Sequence, residues 1–533
     1  MRFDQTIVHY LQRHARDTPS APWLVIASGA RVQQFSYADA VDETRRMARM
    51  LAARSIGRGD HVFIALTHRH EQYILFLAAL WIGAIPTILA PPTPKQDPLL
   101  YWRDSGEMIA SVGPAIIVSF ADNLSALGTV AGATPLVDID TVAAELDHPL
   151  DPADLAEPVE ARPDDLPFLQ FSSGTTGLRK GVVLDHAAVD AALSVHSQAL
   201  GLSSRDVIAT WLPLYHDMGL VACFLMPTRI GAAIVAIDAF EWVTRPWRLL
   251  ETIEHFRCTI AWLPNFALQH IVNTLPEDRR FELSSMRAFV SSSEVCRPET
   301  FERFATALAP HGLRPDQLAT SYGMAETVMA VTQSPPGRAP RVVERDGVRR
   351  LSCGPLLDGV GARVSASGEI EIDTRGNTAF SGYFHNPAAS DETLSGHWYR
   401  TGDLGFIDDG ELFVTGRIKD VLVVHGRNYY AHDIEAIVGA VPGIKPGRAV
   451  VFAVENPEVG SEDAICVAES TAAHDERGAL QRAVKQAVFD RLGLTLRTVA
   501  PVEPGWIVKT TSGKMSRAEN RTRWLARSAG PIR

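Results

Sequence analysis

The chain has few cysteines, and their placement argues against a disulfide framework. Only five occur among 533 residues, at positions 223, 258, 296, 353 and 466, so they are odd in number and far apart. Disulfide-rich domains and zinc sites both use cysteines at short, paired spacings. The sequence therefore indicates neither of these, and we expect a protein of the reducing cytoplasm.

A basic surplus and a membrane-spanning segment are also missing. The net charge is −11, whereas proteins that bind nucleic acid or anionic membranes usually carry excess cations. The longest apolar run, residues 73–90, contains Gly83 and Pro86, which divide it into a helix-like and a strand-like piece. Residues 1–19 have no apolar core of signal-peptide length and are typical of a short amphipathic helix that ends near Asp17. We expect no nucleic-acid partner and no membrane span.

Short apolar runs alternate with helical patterns through the first four hundred residues. The runs are bounded by turn residues and read HVFIAL (61–66), AIIVSF (115–120), AAIVAI (232–237) and CTIAWL (258–263). Such alternation predicts a parallel α/β sheet covered by helices on both faces. From about Val364 the runs GEIEIDT, ELFVT and VLVVH predict a small β-rich module.

A second unit is predicted after Lys419. Two β-rich runs, AVVFAV (449–454) and AICVAE (464–469), precede a helical pattern whose apolar residues recur four apart until Gly493 ends it. We therefore predict an α/β protein whose large N-terminal domain, residues 1–418, holds parallel sheets and the small β-rich subdomain. A small α+β domain, residues 419–533, follows it.

One stretch rich in glycine and hydroxyl groups, FSSGTTGLRKGV (171–182), carries the clearest chemical signal. It lies between apolar segments and is predicted to be a loop between two strands. Its glycines let the backbone approach an anion, while amide N–H groups, hydroxyls and Lys180 supply donors. The Walker pattern is absent because Gly174 and Gly177 are three apart and no hydroxyl follows Lys180. Taken alone, such a stretch is also compatible with a polar hairpin turn.

Together with four further segments, this stretch resembles the adenylate-forming superfamily, in which it corresponds to the phosphate loop. The other segments occur in the family's order and read WLPLYHDMGL (211–220), TSYGMAETVMAVT (320–332), YRTGDLGFIDDGELFVTGRIKDVLVVHGRNYYAHDIE (399–435) and VKTTSGKMSRAENR (508–521). The resemblance covers nearly the whole chain. It implies ATP-dependent activation of a carboxylic acid to an acyl-adenylate, with release of pyrophosphate and with Mg²⁺ as a cofactor.

The resemblance also implies a nucleotide-binding set and a metal ligand. In the family, the acid matched by Asp403 binds both ribose hydroxyls and the arginine matched by Arg417 closes the other side of the sugar; a carboxylate suits a diol because it offers several lone pairs. Glu326 corresponds to the ligand of Mg²⁺, a hard cation that prefers oxygen. Without the family pattern, Glu326 would be an acid at a helix N-terminus, Asp403 a turn residue and Arg417 a surface cation. The implied nucleotide-binding residues are Ser172, Ser173, Gly174, Thr175, Thr176, Gly177, Lys180, Ser292, Ser293, Glu294, Tyr322, Gly323, Met324, Ala325, Asp403 and Arg417.

Two residues are implied in catalysis and one in domain motion. His216 resembles the residue beside the acyl group and the α-phosphate, although a lone histidine is often a buried spectator. Lys514 resembles a lysine that reaches into the active site, where attack of a carboxylate on the α-phosphorus brings negative charges together and needs a cation. A solvated basic tail is the alternative, since residues 501–533 hold seven Lys/Arg against two Glu. Lys419 matches the family's hinge, which implies that the small domain is mobile between two reaction steps.

Within the superfamily, YHDMGL, PNFAL (264–268) and GRNYYAHDIE are most similar to fatty acyl-AMP ligases. That similarity implies transfer of the acyl group to the phosphopantetheine arm of a separate acyl carrier protein. The alternatives are transfer to coenzyme A, or an inactive relative that only binds acyl groups or nucleotides. Ala222 and Cys223 stand where two glycines are expected; with Trp262 they are predicted to line the acyl pocket and, because added bulk overfills a cavity, to favour short or medium acids.

Overall fold

An eight-stranded sheet forms the centre of the N-terminal part. In this computed structural model the described residues are 5–92, 98–146, 157–172, 180–345, 347–376, 378–424, 427–456, 461–473, 475–509 and 515–528. In spatial order the strands are β14 (Thr332–Gln333), β13 (Leu318–Tyr322), β12 (Ala288–Ser291), β11 (Ile260–Leu263), β9 (Val207–Thr210), β10 (Ala233–Ile237), β1 (Pro22–Ser28) and β2 (Arg31–Ser36). Every neighbouring pair is parallel except β14–β13 and β1–β2 at the two edges. The inner strands are apolar and buried, as a sheet covered on both faces requires.

A second, four-stranded sheet is wholly parallel. Its strands are β4 (Ile85–Ile88), β3 (His61–Ala65), β5 (Ile116–Ser119) and β6 (Leu136–Asp138). The four apolar runs predicted as strands form β3, β5, β10 and β11, which confirms the parallel α/β class. The run at residues 73–90 is divided as predicted, except that Pro86 lies within β4. That strand is at the edge of its sheet, where a residue without an N–H is tolerated.

Helices cover these sheets. The α-helices of this part are α1 (Ile7–Asp17), α2 (Tyr37–Ala53), α3 (His70–Trp81), α4 (Pro98–Val112), α5 (Ala121–Gly128), α6 (Ile139–Leu146), α7 (His186–Ala199), α8 (Met226–Ile230), α9 (Ala239–Thr244), α10 (Arg248–Phe256), α11 (Asn265–Thr274), α12 (Pro298–Leu308) and α13 (Pro387–Thr393). The helix predicted at the start of the chain is α1. Among the helices that the structure describes, none is long and apolar enough to cross a bilayer.

Small antiparallel sheets make up the predicted β-rich module and its surroundings. One sheet contains β17 (Ala362–Val364), β18 (Glu369–Asp373), β20 (Leu394–Ser395), β21 (Trp398–Asp408) and β22 (Glu411–Arg417); another contains β7 (Leu169–Phe171), β8 (Gly181–Val183) and β19 (Gly382–Tyr383). A separate hairpin is formed by β15 (Val342–Arg345) and β16 (Val348–Leu351). The strands β7 and β8 flank the glycine-rich stretch, which confirms that it connects two strands.

The C-terminal part has a hydrophobic core of its own. Its elements are β23 (Val421–Val424), β24 (Arg427–Tyr430), α14 (Ala431–Gly439), β25 (Ile444–Asn456), β26 (Ser461–Ser470), α15 (Arg477–Leu492), β27 (Thr498–Val502) and α16 (Arg517–Ser528). The run VLVVH, assigned from sequence to the β-rich module, belongs here instead, because Leu422 and Val424 pack in the core with Ile434 of α14. The large N-terminal core reaches Leu412, so the change of core falls between residues 412 and 422. The boundary at Lys419 remains a prediction.

All five cysteines are buried and unpaired. Burial raises the pKa of the Cys223, Cys258 and Cys353 thiols to about 12. It raises the pKa of Cys296 and Cys466 as well. A thiolate is therefore strongly disfavoured at every one of them.

Candidate active site

A cavity of about 3290 Å³ opens at the carboxyl ends of β9 to β13. Its wall includes Thr210 at the end of β9, Pro264 after β11, Ser293 after β12 and Tyr322 at the end of β13. Residues of the C-terminal part, among them Arg427 on β24, line it as well. In open α/β sheets ligands bind at this edge of the strands, so we treat the cavity as the candidate active site.

Asp403 is held between Tyr322 and Arg417. The Tyr322 hydroxyl donates to Oδ2 of Asp403 at 2.9 Å, and Nε of Arg417 donates to Oδ1 at 2.8 Å. Asp403 and Arg417 are directly opposite each other on β21 and β22, which fixes their pairing. Asp403 is only 5% exposed, yet both of its oxygens retain lone pairs for further donors. The three predicted nucleotide-binding residues therefore meet on the cavity wall.

Gly323 follows Tyr322 where the chain turns back on itself. A Cβ at this position would lie 1.8 Å from the carbonyl oxygen of Met329, so no larger residue fits. The next residues, Met324 to Glu326, line the cavity, and Ala325–Thr327 form a single 3₁₀ turn. The tight turn thus places the side chain of Glu326 near the nucleotide residues.

Glu326 and Lys180 meet at one aromatic ring. The Tyr383 hydroxyl donates to Oε1 of Glu326 at 2.7 Å, and the Lys180 ammonium lies 4.7 Å from the centre of the Tyr383 ring. Burial raises the pKa of Glu326, although the bond from Tyr383 opposes this. Tyr383 was not predicted from the sequence. It reaches the site because β19 pairs with β8, which ends the glycine-rich stretch.

The ends of the glycine-rich stretch are tied together. The Ser172 N–H donates to the carbonyl oxygen of Lys180 at 2.9 Å, and both residues line the cavity. Of the predicted site residues, Ser173, Gly174, Thr175, Thr176, Gly177 and Lys514 lie outside the described residues. On either side of Lys514, the described Lys509 and Met515 form a β-bridge and line the cavity.

The predicted nucleotide-binding residues Ser292 to Glu294 follow directly after β12. Ser292 is buried and its N–H donates to Leu263 of β11, whereas Ser293 and Glu294 line the cavity. Ser293 has a φ of +69°, a left-handed conformation that is uncommon for residues other than glycine and often marks functional sites. Oε2 of Glu294 accepts a hydrogen bond from the Phe266 N–H at 2.9 Å, which joins this segment to the start of α11.

His216 lies on the cavity wall next to Asp217. Nδ1 of His216 lies 2.5 Å from Oδ1 of Asp217 and accepts a hydrogen bond from the Met218 N–H at 3.3 Å, so both of these contacts are made at Nδ1. Nε2 is then the ring atom available to a ligand. A buried π-helix, Met218–Leu225, follows at once, with Asp217 accepting from the Met218 N–H at 2.8 Å. Such π-turns occur frequently at functional sites.

The three residues predicted to line the acyl pocket do not reach this cavity. Ala222 and Cys223, in the π-helix, and Trp262, in β11, are all fully buried and are absent from its described lining. All three belong to the large hydrophobic core. That they restrict acyl length remains a prediction.

Aromatic residues that the sequence analysis missed form part of the wall instead. Trp211, Trp242 and Phe266 all line the cavity. The indole rings of the two tryptophans are parallel within 2°, with centres 3.6 Å apart, and Phe266 meets both at about right angles, at 6.3 and 6.2 Å. The sequence could have indicated them, because each comes after the carboxyl end of an inner strand, where ligand-binding residues are expected.

Charged residues connect the C-terminal part to the rest of the chain. Arg350 of β16 pairs with Asp433 of α14 at 3.0 Å, and Arg297 donates to the carbonyl oxygen of His432 at 2.6 Å. Lys419, the predicted hinge, lies in a short 3₁₀ turn at Ile418–Asp420 and is exposed.

Comparison with known proteins gives matches over most of the chain. Residues 11–384 match the family model described as AMP-binding enzyme. A long-chain-fatty-acid–AMP ligase of Mycobacterium marinum is 30% identical, with 86% of this chain and 86% of the relative covered. A medium-chain-fatty-acid–[acyl-carrier-protein] ligase of Moorena producens is 29% identical, with 93% and 90% covered.

A solved structure from a study of fatty acyl-adenylate ligases of E. coli and L. pneumophila has the same overall fold. Its TM-score is 0.88 at 26% identity, and the match covers 99% of this chain and 100% of that chain. The α/β architecture with a large N-terminal and a smaller C-terminal part is therefore shared along the full length.

Proposed function

The chain belongs to the AMP-binding enzyme family, and from this premise we propose that it activates a carboxylic acid and passes the acyl group to the phosphopantetheine thiol of a separate acyl carrier protein. As an adenylate-forming ligase, it catalyses R–COO⁻ + ATP → R–CO–AMP + PPi. The proposed second step is R–CO–AMP + HS–carrier → R–CO–S–carrier + AMP + H⁺. The acyl–phosphate bond breaks as the thioester forms.

The two hydrogen bonds that hold the Asp403 carboxylate are the main support for the nucleotide part of the proposal. Tyr322 and Arg417 each occupy one oxygen of this buried carboxylate, which fixes its plane at the cavity wall. A fixed carboxylate with free lone pairs suits two neighbouring hydroxyls such as those of ribose. We assign the adenosine to this part of the cavity, with Ser293 and Glu294 on the adenine side.

Glu326 fits the role of a magnesium ligand. It is a buried carboxylate that is oriented by the Tyr383 hydroxyl, and Lys180, a cation suited to phosphate, lies over the ring of the same tyrosine. One protein carboxylate is typical of Mg²⁺ sites in which phosphate oxygens and water complete the shell. When bound, the ion would neutralise charge on the phosphates.

Cations and a histidine serve the reacting groups in this proposal. The substrate carboxylate and the α-phosphate are both negative, so a positioned positive charge lowers the barrier to their reaction. We assign that role to Lys514. His216 would orient the substrate carboxylate or acyl oxygen by donating the hydrogen on Nε2, because Nδ1 already accepts from the Met218 N–H.

A domain rotation at Lys419 would allow one cavity to serve both steps. We propose that residues 1–418 and 419–533 form the two domains, which is supported by the change of hydrophobic core between residues 412 and 422. Both Lys509, which forms an isolated β-bridge with Met515, and strand β24 line the cavity, so two separate parts of the small domain lie within reach.

Exposed cations around the cavity support a protein acceptor. Arg427, Lys445 and Arg491 all line it and are exposed. They suit the acidic surface of a carrier protein, and surface charges of this kind steer association. The same cations suit the phosphates of coenzyme A, so the acceptor must be tested directly.

Pyrophosphate exchange across a panel of carboxylic acids tests the first step. For the second, acyl transfer is measured to holo-carrier proteins and to coenzyme A while the salt rises from about 0.1 M to about 1 M, which shortens the Debye length from about 10 Å to about 3 Å. We expect transfer to a carrier that weakens with salt, and little acyl-CoA. Transfer to coenzyme A at a rate matching the best carrier would assign the chain to the acyl-CoA synthetases instead.

A further inference from the structure

The aromatic wall of the cavity contains two hydrogen-bond donors that the described chain does not use. Trp242 is fully buried and Trp211 is 8% exposed. The indole Nε1 of each is buried, and neither has an acceptor among the described residues. Buried tryptophans normally find a partner for this N–H, because leaving it unpaired is costly.

The position of these donors separates them from an ordinary packing defect. Trp262 also has a buried, unpaired Nε1, but it lies in the core and is absent from the described cavity lining. Trp211 and Trp242 do line the cavity. Of these three unpaired indole N–H groups, only those of Trp211 and Trp242 are therefore candidates for binding a ligand.

The wall adjoins the proposed nucleotide site. Phe266 packs edge-on against both indoles, and its N–H is bonded to Glu294, on the proposed adenine side. Beyond the indoles, Phe240, Val243 and Phe266 are 49, 42 and 38% exposed while lining the same cavity. This apolar surface is suited to the tail of an acid whose carboxylate lies near His216.

We propose that Trp211 and Trp242 form a subsite for an acyl tail that carries a hydrogen-bond acceptor oxygen, as in a hydroxy, oxo or ether acid. The proposal rests on the proposed function, since it names the substrate class of the same cavity. An oxygen in the tail would accept from the indole N–H groups, whereas a plain alkyl tail would cover the wall and leave both donors unpaired.

A second carboxylate in the tail fits less well. Trp211, Trp242, Phe266, Phe240 and Val243 carry no charge, and an ionised group placed among them would lose its hydration without gaining a counter-ion. A neutral oxygen supplies the acceptor without that penalty. The subsite therefore selects for oxygenated but uncharged tails.

Matched acids test the proposal by pyrophosphate exchange. Each pair has equal length and differs only at one position: decanoate against its mono-oxo derivatives, and 4-ethylphenyl against 4-methoxyphenyl alkanoates. The measured quantity is the ratio of kcat/KM, oxygenated to plain, in the wild type and in Trp211→Phe, Trp242→Phe and Trp247→Phe. A ratio within one variant cancels any general loss of activity.

We expect at least one oxygen position to give a ratio of about tenfold in the wild type, the size of one buried hydrogen bond. That ratio should fall towards unity in Trp242→Phe or Trp211→Phe. It should persist in Trp247→Phe, a control in which the changed indole is half-buried, packs near Arg279 and is absent from the described lining.

Two results would overturn the subsite. One is a wild-type ratio at or below unity for every oxygen position; the other is a preference that survives in both wall variants. If the variants do not fold, the proposal is tested by NMR of the wild type labelled with ¹⁵N-tryptophan. The oxygenated acid must then shift two indole N–H signals more than its plain partner does, and equal shifts would overturn the subsite. Absence of exchange with every acid would instead overturn the proposed function.

Discussion

Arg350 and Asp433 form a two-point ion pair between the two hydrophobic cores. Nη1 and Nη2 of Arg350 lie 3.5 and 3.0 Å from the two carboxylate oxygens, and the side chains are 10 and 12% exposed. Hydrogen bonds between charged groups contribute about 1.5–3 kcal/mol when water is largely excluded. We expect Arg350→Gln to lower the free energy of unfolding by about 2 kcal/mol, measured by urea denaturation.

The neighbouring residue supplies the control for that change. Arg349 also forms an ion pair, with Glu302, but its side chain is 41% exposed. Exposed pairs contribute about 0.2–1 kcal/mol, so Arg349→Gln should cost less. Equal losses in the two variants would show that the pair with Asp433 does not hold the C-terminal part in place.

Removal of the Tyr322 hydroxyl should weaken ATP binding. In Tyr322→Phe, Oδ2 of Asp403 loses the donor that fixes its orientation. We expect the KM for ATP in pyrophosphate exchange to rise by about five- to tenfold, the size of one hydrogen bond of about 1–1.5 kcal/mol. The matched control is Tyr37→Phe, which removes a buried hydroxyl bonded to Ala232 elsewhere in the core. An unchanged KM in Tyr322→Phe would contradict the ribose assignment of Asp403.

Removal of the Tyr383 hydroxyl should raise the magnesium requirement. Tyr383→Phe keeps the ring beneath Lys180 but removes the donor to Glu326. Partners that orient a metal-binding carboxylate are worth about 10–100-fold in metal affinity, so half-saturation by Mg²⁺ should need at least about ten times more ion. Tyr101→Phe, which removes a donor to Ala90, is the control. A magnesium dependence identical to the wild type would argue against Glu326 as the ligand.

Lys514 should matter for one step only. We expect Lys514→Ala to slow adenylation by about 10²–10³-fold, the cost of removing one preorganised donor. Transfer from pre-formed acyl-AMP should be preserved, because that step would use the other face of the small domain. Rapid-quench assays separate the two steps, and Arg527→Ala is a control in the same basic tail. Equal losses in both steps would remove the assignment.

His432 should make stability depend on pH. Burial lowers the pKa of His432 from 6.5 to about 3, so the folded chain keeps this ring neutral where the unfolded chain takes up a proton. Between pH 6.5 and pH 3 the unfolded state therefore binds more protons than the folded state. The contribution of the neutral His432 ring to stability is complete above about pH 6.5 and falls as the pH drops towards 3. As the pH falls through this window, the difference in the free energy of unfolding between wild type and His432→Gln should shrink. The variant His255→Gln, changed at an exposed histidine, should show no such trend.

Much of the architecture could be predicted because its signals are local. Apolar runs between turn residues located β3, β5, β10 and β11, and Gly493, with a φ of +63°, ends α15 as expected. The family resemblance implied that Asp403 and Arg417 bind two sides of one sugar, and the hairpin of β21 and β22 brings them opposite each other.

The wall of the cavity was less predictable for physical reasons. Trp262 lies on a four-residue strand that is buried on both faces, so alternation does not tell which face meets the cavity. Cys223 lies in a π-helix, where the usual helical period does not assign faces. Tyr383 depends on strand pairing with residues two hundred positions away, for which the sequence carries no local signal.

The burial of the five cysteines has a chemical consequence for an enzyme that makes acyl-adenylates. Such a mixed anhydride acylates any accessible thiolate, and a thiolate on the enzyme's own surface would compete with the intended acceptor. Here all five thiols are buried, and burial raises the pKa of Cys296 and Cys353, which line the cavity. Burial thus disfavours the thiolates that an acyl-adenylate in this cavity would acylate, and in the proposed reaction the acyl group is left for the acceptor thiol.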